Sequence, residues 1–140
     1  MNNKRYGLKA ETMLRDILVG RGYLCIRSAA SKVIDLIVFD PRVHPTLPVG
    51  VEVKRTSGDV VYVSRTANQR EQRDQLRSIL WRYDLIPVYA VMFGDGTVEL
   101  FNLDLEVFRK GEGHPFDDWF PDRSLPTQPP YSPPVEGDAL

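Results

Sequence analysis

The stretch VIDLIVF at residues 33–39, followed by VGVEVK at residues 49–54, decides the fold. Both stretches are short and rich in β-branched residues, which predicts two buried strands. The segment between them, residues 40–48, contains three prolines and is predicted to be a loop. We expect the two strands to be neighbours in one sheet, as a hairpin would make them.

Charged residues interrupt both predicted strands. Asp35 lies inside an otherwise apolar stretch, where an ionised carboxylate is costly unless it is paired or binds a cation. Glu52 and Lys54 alternate with Val51 and Val53, so a period of two puts both charged side chains on one face of the strand. On neighbouring strands, Asp35 and Glu52 can therefore meet on that face.

Two carboxylates on a rigid sheet form an all-oxygen site that suits Mg²⁺, which keeps several waters and binds substrate phosphate. A lysine beside them can hold a water or a phosphate oxygen and stabilise charge in the transition state. Phosphodiester hydrolysis needs these parts. The alternative is that Asp35, Glu52 and Lys54 face solvent on a half-exposed sheet, with Glu52 and Lys54 a weak surface pair. An E-x-K motif alone is common by chance.

The remaining chain supplies helices and further strands. Helices are predicted at residues 7–21, 66–83 and 104–110, and strands at residues 23–28, 60–64, 86–93 and 97–103. The apolar positions of the two longer helices are Ala10, Met13, Leu14, Ile17 and Leu18, and Leu76, Ile79, Leu80 and Tyr83. Arg70, Arg73 and Arg77 form a basic stripe on the long helix, by default a solvated face. This order of elements predicts an α/β fold with a central mixed β-sheet flanked by helices.

Composition predicts one folded domain. The chain has 140 residues, 42% of them hydrophobic, enough for a single core. Residues 1–110 carry a net charge of +4, whereas residues 111–140 carry −5 and contain seven of the eleven prolines. We therefore expect a nuclease domain at residues 1–110 with a mildly basic surface suited to phosphate, and an extended or disordered tail at residues 111–140.

Several classes of protein are disfavoured by the sequence. No apolar run has transmembrane length and the N-terminus has no apolar signal region, so we expect an intracellular, cytoplasmic protein without a membrane partner. A single cysteine, Cys25, excludes an internal disulfide, and two distant histidines exclude a zinc cluster. No nucleotide cofactor is expected.

Two further features have open interpretations on pattern alone. Glu11 lies at the edge of the first helix's apolar stripe, and the pattern favours a first-turn acid that is stabilised by the helix dipole and paired with Arg15. The segment RSAASK at residues 27–32 has two bases and two hydroxyls directly before the Asp35 strand. It can hold phosphate or be a polar turn.

Taken together, these segments resemble a known family. KRYGLKAE (4–11), GYLCIRSAASKVIDLIV (22–38) and VEVK (51–54) are similar to the archaeal-type Holliday junction resolvases of the PD-(D/E)XK nuclease superfamily. The likeness continues through IPVYAVMF (86–93) and covers roughly residues 4–104. Several viruses carry relatives of this family, and for a viral relative the location is the host cytoplasm.

The resemblance implies a restriction-endonuclease-like core and a homodimer that makes paired nicks in four-way or branched DNA. It also implies Mg²⁺, with Mn²⁺ able to substitute. The implied catalytic residues are Glu11, Asp35, Glu52 and Lys54, and the metal ligands are Glu11, Asp35, Glu52 and the backbone carbonyl of Val53. Arg27 and Ser31 match the family's R-S-x-x-S loop, which is used near the DNA backbone. We further expect Ser28 and Lys32 to help position the phosphate backbone, with outer contacts from Lys4, Arg5, Arg55, Arg65 and Arg70.

The sequence also departs from the family's pattern. Thr12 stands where the family often has an arginine, and the loop 40–48 is longer and richer in proline than usual. The long helix often presents aromatic residues to the dimer partner, for which Ile79, Trp81 and Tyr83 are the nearest candidates. Residues 111–140 have no counterpart.

The predicted function is a structure-specific endodeoxyribonuclease that resolves four-way junctions. The alternatives are a nuclease of the same superfamily that acts on other DNA structures and a structure-specific DNA-binding protein that does not cut.

Overall fold

The computed structural model describes residues 3–28, 34–40 and 47–124, with the backbone alone for residues 3–8. The helices are α1 (Asn3–Gly20), α2 (Ala67–Tyr83) and α3 (Phe116–Trp119). The strands are β1 (Leu24–Arg27), β2 (Leu36–Phe39), β3 (Val49–Arg55), β4 (Val60–Tyr62), β5 (Ile86–Met92), β6 (Val98–Phe101), β7 (Val107–Arg109) and β8 (His114–Pro115). Ser31, Lys32 and most of the predicted loop 40–48 lie outside the described residues.

A six-stranded sheet in the order β1-β2-β3-β5-β6-β8 forms the centre of the fold. Strands β3 and β5 run parallel, and the other neighbours in this sheet are antiparallel. The predicted α/β class with a mixed sheet is therefore confirmed. Strands β4 and β7 form a separate two-stranded sheet.

The two longer helices cover opposite faces of the sheet. Leu14 and Leu18 of α1 pack in one core with Val88 and Ala90, whereas Leu76 of α2 packs in the other core with residues such as Tyr89 and Val91. This division follows from the strand period of two, because successive side chains of β5 point to opposite faces. None of the described helices is long and apolar enough to cross a membrane.

Helix α2 connects the two parallel strands β3 and β5. Thr66 caps its N-terminus through a capping box with Gln69. Near its C-terminal end Ile79 packs over Gly50, where an added Cβ would come within 2.6 Å of the Ile79 Cδ1 atom. Since Gly50 lies at the start of β3, the N-terminus of α2 extends toward the carboxyl ends of β3 and β5.

The basic stripe predicted on α2 is only partly solvated. Arg73 is 6% exposed, and its guanidinium donates to the backbone carbonyl of Leu103. Arg77 donates to the same oxygen at 2.9 Å. The prediction of a solvated face is wrong for Arg73, because the loop that follows β6 closes over this flank of the helix and supplies an acceptor.

The structure corrects the predicted helix at residues 104–110. Residues 107–109 form strand β7, which pairs with β4. Phe108 is fully buried and stacks on Phe101 with ring centroids 4.6 Å apart. The exposed–buried alternation of a strand places this ring in the core, which a short helix at the surface would not do.

Residues 111–124 do not form the predicted extended or disordered tail. Strand β8 pairs with β6, and Phe116 and Phe120 of the segment that follows lie in the core with Leu14 and Leu18. The Arg21 Nη1 atom donates to the carbonyl of Phe120 at 2.9 Å. Two aromatic side chains bury enough apolar surface to order this acidic, proline-containing segment. Residues 125–140 of the predicted tail lie outside the described residues.

Candidate active site

Asp35 lies directly before β2 and is fixed to β3. Its backbone N–H donates to the carbonyl of Val51 at 2.9 Å. Its Oδ2 atom accepts a hydrogen bond from the Val53 N–H at 2.7 Å. The antiparallel pairing of Leu36 with Val51 continues this register. The prediction that β2 and β3 are neighbours in one sheet is confirmed. This pairing brings Asp35 beside Glu52.

Glu52 and Lys54 project from β3 next to Asp35. The Lys54 Nζ atom lies 3.5 Å from the Glu52 Oε1 atom. The side chain of Glu52 is only 16% exposed, which is far from the solvent-facing surface pair of the alternative interpretation. A buried carboxylate of this kind needs a compensating cation, and Lys54 provides part of that compensation.

Glu11 reaches the same place from α1. Its Oε2 atom lies 3.4 Å from the Nη2 atom of Arg27, and its side chain is 20% exposed. Because α1 begins at Asn3, Glu11 is well inside the helix, and Arg15 pairs with Asp16 instead. The interpretation as a first-turn acid paired with Arg15 is therefore wrong.

Asp35 lies within interaction range of both Glu11 and Glu52. Burial first, and then the charge of Asp35, raise the pKa of Glu52 to about 8, while Lys54 lowers it. Burial and then Asp35 likewise raise the pKa of Glu11 to about 7, while Arg27 lowers it. The two bases thus offset only part of the effect of burial and of the charge of Asp35.

The donor set fits Mg²⁺ in its chemistry. The carboxylates of Glu11, Asp35 and Glu52 and the carbonyl of Val53 are the hard oxygen ligands that this ion prefers. A cation would reverse the raised pKa values of Glu11 and Glu52, because it favours the ionised forms. In the part of the chain that the structure describes, no group of three or more acidic, histidine or cysteine side chains is already arranged to hold an ion. Binding would therefore require these side chains to turn toward a common point.

The residues predicted to contact DNA are placed unevenly. Arg27 ends β1 beside Glu11, and the Ser28 N–H donates to the carbonyl of Asp35 at 3.0 Å. The segment RSAASK at residues 27–32 therefore begins beside the carboxylate cluster, which consists of Glu11, Asp35 and Glu52. Lys4 and Arg5 lie in the first turns of α1, and Arg55 ends β3.

Arg65 and Arg70 lie around the N-terminus of α2. The Arg70 Nη1 atom donates to the carbonyls of Ser64 and Arg65 at 3.1 and 3.3 Å. The Arg65 guanidinium lies over the ring of Tyr62. No sequence pattern singles out Tyr62, because an aromatic residue in a strand is usually part of the core.

Tyr89 is a further residue of the site that sequence reasoning missed. It is paired with Glu52 in the register of β3 and β5, and it is buried. Burial and then Glu52 raise the pKa of Tyr89 to about 12, while Arg73 and Arg77 lower it. Tyr89 lies in the apolar stretch IPVYAVMF, where its type and position suggest only a core residue. Its place beside Glu52 follows from the strand register, which the sequence alone does not provide.

Comparison with known proteins matches the chain to solved structures. No family model matches the chain, and no curated protein matches it. The solved structure of Hjc, a Holliday junction resolvase from the archaeal hyperthermophile Archaeoglobus fulgidus, superimposes with a TM-score of 0.63. The match covers 81% of this chain and 94% of that chain, at 18% sequence identity. The resemblance predicted from the sequence is therefore confirmed at the level of the fold.

Proposed function

We propose that this protein is a Mg²⁺-dependent endodeoxyribonuclease that cuts four-way DNA junctions. The observation that carries the proposal is the convergence of three acidic side chains from separate elements. Glu11 comes from α1, Asp35 from the position directly before β2 and Glu52 from β3, with Lys54 3.5 Å from Glu52. The pKa values of Glu11 and Glu52 are both raised here, and carboxyl groups with perturbed pKa values are concentrated at functional sites.

In this proposal Asp35, Glu52 and the carbonyl of Val53 hold Mg²⁺, and Glu11 completes the acidic site. Mn²⁺ is expected to substitute. The bound ion supplies a Lewis acid at the scissile phosphate. Lys54 orients the attacking water and stabilises the negative charge that develops on the phosphate.

Phosphate contacts surround this centre in the proposal. Arg27 and Ser28 hold the DNA backbone beside Asp35, together with Ser31 and Lys32. The proposed outer contacts are Lys4, Arg5, Arg55, Arg65 and Arg70. Contacts to the backbone carry no sequence information, so recognition depends on the shape of the DNA and weakens steeply as salt rises.

Paired nicks require two sites, and a two-fold symmetric homodimer supplies them. Strand β1 is an edge of the sheet, and its Leu24 and Ile26 are 58% and 46% exposed. They share a face with Phe39, the partner of Leu24 on β2. This exposed apolar surface, Leu24, Ile26 and Phe39, is the proposed dimer interface. Of the helix candidates, Ile79 is buried against Gly50 and unavailable, whereas Trp81 and Tyr83 are exposed.

The test compares two labelled substrates, an immobile four-way junction and a linear duplex of matched sequence. We expect Mg²⁺-dependent nicks in the junction, placed symmetrically on opposite strands, and no cutting in EDTA. Equal cutting of both substrates would remove the junction claim and leave a nuclease with another target. Tight junction binding without cutting would identify a DNA-binding protein.

A further inference from the structure

Arg65 and Tyr62 form a stacked pair next to α2. The Cζ atom of Arg65 lies 3.2 Å from the centroid of the Tyr62 ring. At this separation the guanidinium must be nearly parallel to the ring, because a tilted group would push a nitrogen into the ring atoms. Tyr62 is partly buried and Arg65 is exposed. One face of the planar cation is therefore covered by the ring.

The backbone of Arg65 is held on both sides. Its N–H donates to the Oε1 atom of Gln69 at 2.9 Å. Its carbonyl accepts from the Nη1 atom of Arg70 at 3.3 Å. Because Gln69 also takes part in the capping box with Thr66, the position of Arg65 is coupled to the start of the helix. Both the backbone and the side-chain plane of Arg65 are therefore held in place.

The charge of Arg65 is left for an external group. None of the ion pairs among the described residues involves Arg65. Arg70 differs, since its guanidinium donates to two backbone carbonyls. Arg70 therefore supports the backbone at residues 64 and 65. The guanidinium of Arg65, in contrast, is exposed on the side away from Tyr62.

The stacked pair lies toward the same end of the sheet as the carboxylate cluster. Strand β3 ends at Arg55, directly after Lys54, and β5 ends beside it at Met92. The N-terminus of α2 extends toward these carboxyl ends, as the packing of Ile79 on Gly50 requires. A DNA substrate that reaches Lys54 therefore lies at the end of the sheet toward which the N-terminus of α2 extends.

We propose that Arg65, stacked on Tyr62, is a platform that receives an unstacked nucleobase at the branch point of the DNA. This inference rests on the proposed function and names a subsite for it. Guanidinium planes stack on bases that have left the helix, and they do so because the group is planar and weakly hydrated. A contact to phosphate needs charge but not a tyrosine beneath it. Prior fixation of the plane lowers the entropy cost of stacking.

The test measures binding in EDTA, where the proposed enzyme does not cut. The full chain is titrated with a four-way junction and with the same junction carrying abasic sites at the branch-point nucleotides. We expect the wild-type protein to prefer the intact junction by about tenfold, the size of one base–side-chain stack. Arg65→Lys keeps the charge but removes the plane, so it should bind both junctions equally.

Two further variants separate stacking from folding. Tyr62→Phe keeps the ring and should retain the preference, whereas Tyr62→Leu should lose most of it. Arg82→Lys, at the exposed far end of α2, is the matched control and should behave as the wild type. Circular dichroism of each variant reports whether it has folded.

The possible outcomes distinguish the platform from the proposed function. If Arg65→Lys keeps the preference for the intact junction, or if the wild type has none while Mg²⁺-dependent cutting is normal, the platform is overturned alone. In that case Arg65 is a phosphate contact. If neither junction is bound better than linear duplex, the proposed function fails and the platform fails with it.

Discussion

The side chain of Asp35 is tied to the backbone of Val53, whose N–H donates to the Asp35 Oδ2 atom at 2.7 Å. Because Val53 lies between Glu52 and Lys54, this hydrogen bond holds Asp35 next to these two charged residues of β3. An asparagine at position 35 keeps an oxygen that can accept the same bond. The charge of Asp35 can therefore be removed with little change to the local backbone.

The first prediction concerns the stability of the metal-free protein as the pH changes. In the folded state the pKa of Glu11 is about 7 and that of Glu52 about 8, against 4.5 for an ordinary glutamate. The folded protein therefore binds more protons than the unfolded chain between these values. In EDTA, the free energy of unfolding should fall as the pH rises from 4.5 to about 8.

Urea denaturation at several pH values in this range measures that fall. Glu52→Gln should flatten the profile, whereas Glu71→Gln, at an exposed position of α2, should leave it unchanged. Mg²⁺ should stabilise the wild type most at the alkaline end, where the carboxylates are ionised and available. A stability that rises with pH in EDTA would contradict the charge distribution of the site.

The second prediction concerns the dimer. A glutamate in place of Ile26 or Leu24 puts a charge into the exposed apolar surface on the edge of the sheet, where a partner would have to bury it. We expect the variant to elute as a monomer in gel filtration and to make single rather than paired nicks. Val19→Glu replaces an equally exposed residue of α1 and is the control. If the protein remains a dimer with either glutamate on β1, the proposed interface is wrong and the dimer forms through another surface.

The third prediction concerns the packing of α2 on the sheet. Gly50→Ala places a methyl group 2.6 Å from the Ile79 Cδ1 atom, and overpacking of this kind costs about 1–3 kcal/mol of stability. Adding Ile79→Val, which removes that atom, should recover part of the loss. Gly20→Ala is the control, because nothing lies within 4 Å of the added carbon. If the losses of stability from Gly50→Ala and Ile79→Val simply add in the double variant, the close contact between residue 50 and the Ile79 Cδ1 atom is contradicted.

The sequence predicted those parts of the site that depend on local periodicity. Asp35, Glu52 and Lys54 follow from two neighbouring strands with a side-chain period of two, and the pairing of β2 with β3 confirms that geometry. Glu11 entered only through the family resemblance. Its helix begins at Asn3, several residues earlier than the periodicity indicated. Glu11 is therefore not in the first turn, where the helix dipole would stabilise it.

The features that the sequence did not predict depend on contacts between distant residues. Arg73 is buried because the carbonyl of Leu103, 30 positions along the chain, accepts from its guanidinium. Phe116 and Phe120 join a core built by α1, although their own neighbourhood is acidic and rich in proline. Local composition carries no information about such partners, and it therefore failed for the 111–124 segment.

The most direct test of the central claim is the single-turnover rate of junction cutting in Mg²⁺ by the wild type and two aspartate variants. Asp35→Asn removes a proposed metal ligand, whereas Asp40→Asn removes a carboxylate just beyond the opposite end of β2, where it pairs with Arg123. We predict that Asp35→Asn slows cutting by on the order of 100-fold or more while junction binding is retained. Asp40→Asn should cut at nearly the wild-type rate. Unchanged cutting by a folded Asp35→Asn protein would contradict the assignment of this carboxylate cluster as the nuclease site.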